Sequence, residues 1–114
     1  MSPNDNAIEH VTPEELARKL DCDECALLLD VRAPEELLGE LGCLPRVANI
    51  PLSQLRDRLS ELAGHEDLGI VVICRSGKRS EEAARILHDA GFRRISVLKG
   101  GMIAWRSDPL TQRL

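Results

Sequence analysis

The sequence predicts an α/β fold, an open and mostly parallel sheet flanked by helices on both faces. Three observations predict it. Strand-like and helix-like segments alternate several times, the pattern of parallel strands joined by crossover helices. Ile70-Val71-Val72-Ile73 is β-branched throughout and apolar on both faces, which suits a central parallel strand. The 114 residues are enough for one compact domain and too few for two, so residues 1–114 are read as one unit with a core at about 8–106 and short polar tails.

Taken in order, the first element is a short strand at Ile8 to Val11. Thr12-Pro13-Glu14-Glu15 follows as a helix start, with Thr12 as cap, Pro13 in the first turn and Glu15 completing a capping box. Leu16, Ala17 and Leu20 give that helix an apolar side. Ala26 to Val31 reads as a buried strand, and Pro34 opens a short helix with Leu37, Leu38 and Leu41 on one side. Val47 to Ile50 is a short strand. Leu52, Leu55, Leu59 and Leu62 recur at helical spacing, and Gly64 suits the end of that helix. The strand Gly69 to Ile73 is followed by a turn, Cys74 to Arg79. Ser80 begins a helix with Ala83, Ile86, Leu87 and Ala90 inward and Gly91 at its end. Ile95 to Leu98 is the last strand, Gly100-Gly101 breaks it, and Met102 to Arg106 form a final helical turn.

Composition excludes several classes. Hydrophobic residues at 43% allow a core without disulfide or metal staples. One Trp, one Phe and no Tyr leave little on which to stack bases, and a net charge of -4 opposes nucleic acid and acidic membranes alike. No apolar run is long enough to span a bilayer, and Met1 to His10 carry no secretory apolar stretch. Four Cys without an export signal point to free thiols in a cytoplasmic setting. Cys22-Asp23-Glu24-Cys25 has redox spacing, but its acidic neighbours would disfavour a thiolate, and zinc would need two further ligands. It is read as two ordinary thiols. His10, His65 and His88 stand alone and read as surface residues. No metal and no cofactor is expected.

The chemistry lies in Cys74-Arg75-Ser76-Gly77-Lys78-Arg79. Ligands of open α/β sheets sit beyond the carboxyl ends of the strands, where Cys74 falls. The loop runs into a helix N-terminus, whose free N–H groups favour an anion. Gly77 permits a turn in which successive N–H groups converge. Each feature favours the thiolate of Cys74 over the thiol, and the same groups suit an oxyanion donor. A structural Cys would be a small buried hydrophobe with no use for a basic turn. For Arg75 and Lys78 the plain alternative is surface solvation, and for Lys78 it weighs as much as a binding role. Arg79 has the stronger claim, because a guanidinium can bridge loop carbonyls or a bound anion. Loop physics alone leaves sulfur transfer and phosphate transfer both open.

Four segments, in order, narrow that choice. Leu29-Asp30-Val31-Arg32-Ala33-Pro34-Glu35-Glu36, Gly42-Cys43-Leu44-Pro45-Arg46-Val47-Ala48-Asn49-Ile50-Pro51, Cys74 to Ser80 and Leu98-Lys99-Gly100-Gly101-Met102-Ile103-Ala104-Trp105 together resemble the signatures of single-domain rhodaneses, from about Ile8 to Trp105. The resemblance implies a thiosulfate sulfurtransferase-like enzyme with a persulfide on Cys74. Its implied partners are a small anionic sulfur donor such as thiosulfate and an acceptor that is cyanide, a thiol or a sulfur-accepting protein. It implies that the backbone of Arg75, Ser76, Gly77, Lys78 and Arg79 cradles the persulfide, that Arg75 and Arg79 assist the donor, and that Asp30, Arg32 and Ser80 support the site. Cys43, Arg46 and Val47 depart from the family's usual His, Gly and Ala, which bears on donor preference rather than fold. Cys43 is read as an incidental small residue in preference to a second sulfur carrier.

Two rivals remain. A phosphatase loop has five residues between Cys and Arg, whereas four separate Cys74 from Arg79, a cradle sized for one sulfur atom. A regulatory or sulfur-delivery module with little small-molecule turnover is the other alternative, and the complete loop argues against a catalytically dead form.

Overall fold

Thr12 and Glu15 close the capping box expected of them. Thr12 N–H donates to Glu15 Oε1 at 2.8 Å, and Glu15 N–H donates to Thr12 Oγ1 at 3.1 Å. This pair starts helix α1 (Pro13–Asp21) directly after strand β1 (Ile8–Val11). The computed structural model describes residues 8–21, 27–109 and 111. The remaining elements are β2 (Leu27–Asp30), α2 (Pro34–Leu37), β3 (Ala48–Asn49), α3 (Leu52–Leu55) running into a 3-10 segment (Arg56–Leu62), β4 (Ile70–Ile73), α4 (Lys78–Asp89), β5 (Ile95–Leu98) and α5 (Gly101–Ser107). Ala26 and the Cys22–Cys25 motif lie outside the described residues.

The described strands form one five-stranded sheet in the order β1-β5-β4-β2-β3, and every recorded pairing is parallel. β4 lies at its centre, and all four of its residues are buried, as the unbroken β-branched run predicts. Alternate residues serve opposite faces. Leu29, Ile70, Val72, Ile95 and Val97 pack with Leu55, Leu62, Ala83, Ala84, Ile86 and Leu87 from α3, the 3-10 segment and α4. Leu28, Val71, Ile73 and Leu98 pack with Leu16, Ala17, Met102 and Trp105 from α1 and α5. The two helical layers expected on the two faces are therefore both present.

Several expected details differ. α4 begins at Lys78, two residues before Ser80, because Gly77 adopts a left-handed φ of 112° and caps the helix there. Ala90 is exposed at the C-cap of α4, and Ala84 takes its inward place. The Leu52–Leu62 periodicity does not yield one α-helix: the chain tightens to 3-10 geometry at Arg56 and leaves helical angles at Arg58. α2 spans only four residues, and Leu38, expected on its apolar side, is 88% exposed. His10 does not stand alone, since its Nε2 meets Glu81 Oε2 across β1 and α4.

Candidate active site

Cys74 follows the last residue of β4 and is 1% exposed. The short central strand ends here, and its carbonyl end delivers the thiol to the rim of the sheet. Cys74 Sγ accepts the N–H of Gly77 at 2.9 Å and that of Ser80 at 3.4 Å. Both donors belong to the start of α4. The left-handed Gly77 turns the loop so that its N–H groups face the sulfur. Positive electrostatic potential from the helix start thus reaches Sγ without a neighbouring side-chain base.

The carbonyls of the same loop are held the other way. Met102 N–H donates to Cys74 O at 2.8 Å and Ile103 N–H to Arg75 O at 3.0 Å. α5 therefore binds the outer side of the loop by its first amides. Gly101 makes this approach feasible: a Cβ there would stand 2.4 Å from Arg75 O and 2.5 Å from Cys74 O. The Gly100-Gly101 pair, read from sequence as a tight turn and strand break, is also the seat on which the loop rests.

Asp30 and Arg32 form a fully buried pair. Arg32 Nε and Nη2 reach the Asp30 carboxylate at 3.0 and 2.7 Å, and Arg32 N–H adds a third bond at 3.0 Å. Arg32 Nη2 also donates to Gly42 O at 2.7 Å, and Asn49 Nδ2 donates to the carbonyls of Asp30 and Arg32 at 2.9 Å each. Buried ion pairs are a poor source of stability, so the role of this one is geometric. It ties the end of β2 to the 39–42 loop. Arg106 Nε grips the same loop from α5 by donating to Leu41 O at 2.7 Å. Sequence reasoning found Asp30 and Arg32 but missed Asn49 and Arg106, whose partners are backbone carbonyls with no sequence signature.

Arg79 departs from its expected place. Its two terminal nitrogens donate to Glu36 at 2.8 and 3.0 Å, so the guanidinium faces α2 and bridges no loop carbonyl. Glu36 Oε2 also accepts Ala33 N–H at 2.9 Å. The hydrogen bond from Arg79 leads in holding the Glu36 carboxyl down at about 2, from an ordinary 4.5; partial burial opposes it, and the Ala33 N–H and the charges of Arg79 and Arg32 add to it. Arg79 is raised in turn, chiefly by Glu36, with the charges of Cys74 and Asp30 acting in the same direction. Arg75, Ser76 and Lys78 are exposed. Among the described residues neither Arg75 nor Lys78 enters an ion pair. A pocket of about 220 Å³ opens beside Arg75, lined also by Arg32, Glu36, Gly39, Glu40 and Leu41. Two guanidinium groups, Arg75 and the Asp30-paired Arg32, and two carboxylates, Glu36 and Glu40, border it.

Cys43 is an exposed free thiol next to the Gly42 carbonyl that Arg32 holds. Among the described residues no cluster of His, Cys, Asp and Glu is arranged to hold a metal ion, and no helix is long and apolar enough to cross a membrane.

Comparison with known proteins gives the geometry a context. Residues 12–108 match the model of the rhodanese-like domain. The sulfurtransferase of Allochromatium vinosum is 35% identical over 98 residues, covering 86% of this chain and 88% of that protein. YrkF of Bacillus subtilis, whose name describes a sulfur carrier, is 38% identical over 104 residues; 91% of this chain is covered, but the chain spans only 54% of that longer protein. The crystal structure of a rhodanese-related protein from Thermoplasma volcanium superposes with a TM-score of 0.75 at 30% identity, covering 89% of this chain and 93% of the other.

Proposed function

The chain belongs to the rhodanese-like family, and from that premise we propose that it is a sulfurtransferase working through a persulfide on Cys74. A role in sulfur transfer is what its named relatives support. The finer reading rests on one observation: Cys74 Sγ ends the central strand with two backbone N–H groups donating to it and the carbonyls of its loop drawn to the opposite side.

That arrangement suits a sulfur that gains and loses charge. In the loading step the Cys74 thiolate attacks the outer sulfur of an anionic donor such as thiosulfate. The donor's S–S bond breaks, its electron pair leaves with sulfite, and Cys74 keeps the sulfur as a persulfide. In the second step cyanide or a thiolate attacks the outer sulfur. The Cys74 S–S bond breaks and the electron pair returns to Sγ. The acceptor thiol belongs to a small molecule or to a protein. The N–H donors stabilise negative charge on sulfur in both steps, and this stabilisation requires no metal or cofactor group.

The residues divide by what surrounds them. Arg75 borders the small pocket and makes no ion pair among the described residues, so it is the guanidinium we assign to the incoming anion. Lys78 adds positive charge at the rim. Arg79 acts through Glu36 to hold the loop against α2. Asp30 and Arg32 hold the end of β2 to the 39–42 loop beside that pocket.

Intact-mass spectrometry after incubation with thiosulfate tests the reading. The expected result is one added sulfur atom, mapped to Cys74, and none on Cys74→Ser. Sulfur added to Cys43 with Cys74 unmodified would overturn it.

A further inference from the structure

Of the buried side chains of α4, Ser80 alone is polar; the others are Ala83, Ala84, Ile86 and Leu87. Ser80 is 0% exposed, and its Oγ has no hydrogen-bond partner among the described residues. A buried hydroxyl left without a partner is destabilising, and nothing in the packing calls for it. Alanine would serve this sheet-facing stripe better, because it carries no polar atom and is the best helix former.

The direction of the side chain supplies an explanation. Side chains of an α-helix lean back toward its N-terminus. For Ser80 that direction is the Cys74 loop, and Ser80 N–H already donates to Cys74 Sγ at 3.4 Å. The buried hydroxyl makes no hydrogen bond to that sulfur as it stands, but it is carried by a residue whose N–H already reaches it, so a rotation about Cα–Cβ turns it toward the same acceptor. A neutral thiol is a weak acceptor and leaves the hydroxyl idle. A charged sulfur is a far stronger acceptor and draws the O–H to itself.

We propose that the Ser80 hydroxyl is a third hydrogen-bond donor to Cys74 Sγ, engaged whenever that sulfur carries negative charge. The inference builds on the sulfur-transfer reading but concerns a different atom. When an acceptor removes the outer sulfur, the electron pair of the broken S–S bond settles on Sγ. Two backbone amides and the Ser80 hydroxyl then share that charge. Through its N–H Ser80 already meets the reacting sulfur, and so it counts as a catalytic residue. The two amides come with the loop, whereas the hydroxyl is a side-chain addition to it.

The test is Ser80→Ala in the full chain, read in three ways. Alkylation of Cys74 by iodoacetamide at a fixed, mildly acidic pH, followed by peptide mapping, is expected to slow about three- to tenfold. That range follows from losing one hydrogen bond to a charged atom, partly offset by the greater nucleophilicity of a less stabilised thiolate. Discharge of a preloaded persulfide to cyanide is expected to slow by a similar factor. The urea midpoint is expected to hold or rise. Wild-type alkylation and discharge rates in the variant would overturn the inference. So would a fall in rates accompanied by a lowered midpoint, which would assign Ser80 to packing. Alkylation needs no sulfur donor, so it judges Ser80 even if thiosulfate fails to load Cys74, a failure that would count against the sulfur-transfer reading alone.

Discussion

Adding one methyl group to Gly101 should damage the site more than any surface change of similar size. The new Cβ would lie 2.4 Å from Arg75 O, 2.5 Å from Arg75 C and 2.5 Å from Cys74 O. These are backbone atoms, so no side chain can swing aside. Either α5 or the loop must move by about 1 Å to restore ordinary contact, at an overpacking cost of about 1–3 kcal/mol. Gly101 also holds a φ of +62°, which costs an L-residue about 1–2 kcal/mol more. Together Gly101→Ala should lose about 2–5 kcal/mol. Gly64→Ala is the control: its φ is +96° but nothing lies within 4 Å of the new Cβ, so only the conformational cost applies. Urea unfolding of the two variants isolates the contact, and single-turnover loading from thiosulfate reads its effect on Cys74. Loading should fall about a hundredfold in Gly101→Ala, the cost of misplacing a reacting atom by an ångström. Equal destabilisation of the two variants, or loading at the wild-type rate, would refute the reasoning.

Other outcomes are expected. Glu36→Gln should remove stability at neutral pH and flatten the acid limb of the unfolding profile. The carboxyl is lowered in the folded state, so its contribution is complete above about 4.5 and is lost as pH falls toward about 2. The pair with Arg79 is about a third exposed, which screens that contribution to about 1 kcal/mol. Urea midpoints at pH 7 and pH 3 check it, and a variant that differs equally from wild type at both would contradict it. Arg46→Gly should stabilise by about 0.5–1 kcal/mol, since Arg46 holds a φ of 62° and relief of that strain outweighs the entropy of a more flexible unfolded chain. A lower urea midpoint for this variant would show that the Arg46 side chain contributes more than its backbone costs.

Where local chemistry decides, the sequence was legible. The strand bounds Ile8–Val11 and Ile95–Leu98 follow from short β-rich runs between turn signals, and the Thr12–Glu15 box names its own helix start. The position of Cys74 at the end of a central strand follows from Ile70–Ile73, whose apolarity on both faces leaves only one place in a parallel sheet. What could not be read depends on contacts between distant segments. Leucine spacing at Leu52–Leu62 cannot reveal a kink at Arg58, because packing sets it. Arg79 is read from sequence beside its loop neighbours, and the side chain it meets in the structure, Glu36, comes from another element. A glycine doublet announces unusual backbone but not the two carbonyls that press against it.

The order of strands sets when this site can exist. β5 lies between β1 and β4, so a strand that follows both of them in the chain completes the sheet between them. Until it does, β1 has no partner among the described strands, and α5 cannot seat the Cys74 loop. An emerging chain thus exposes its thiol well before the amides and carbonyls around it are fixed. A fragment ending before Ile95 should carry the Cys74 loop and its Gly77 and Ser80 amides without the α5 seat that holds the carbonyls of Cys74 and Arg75.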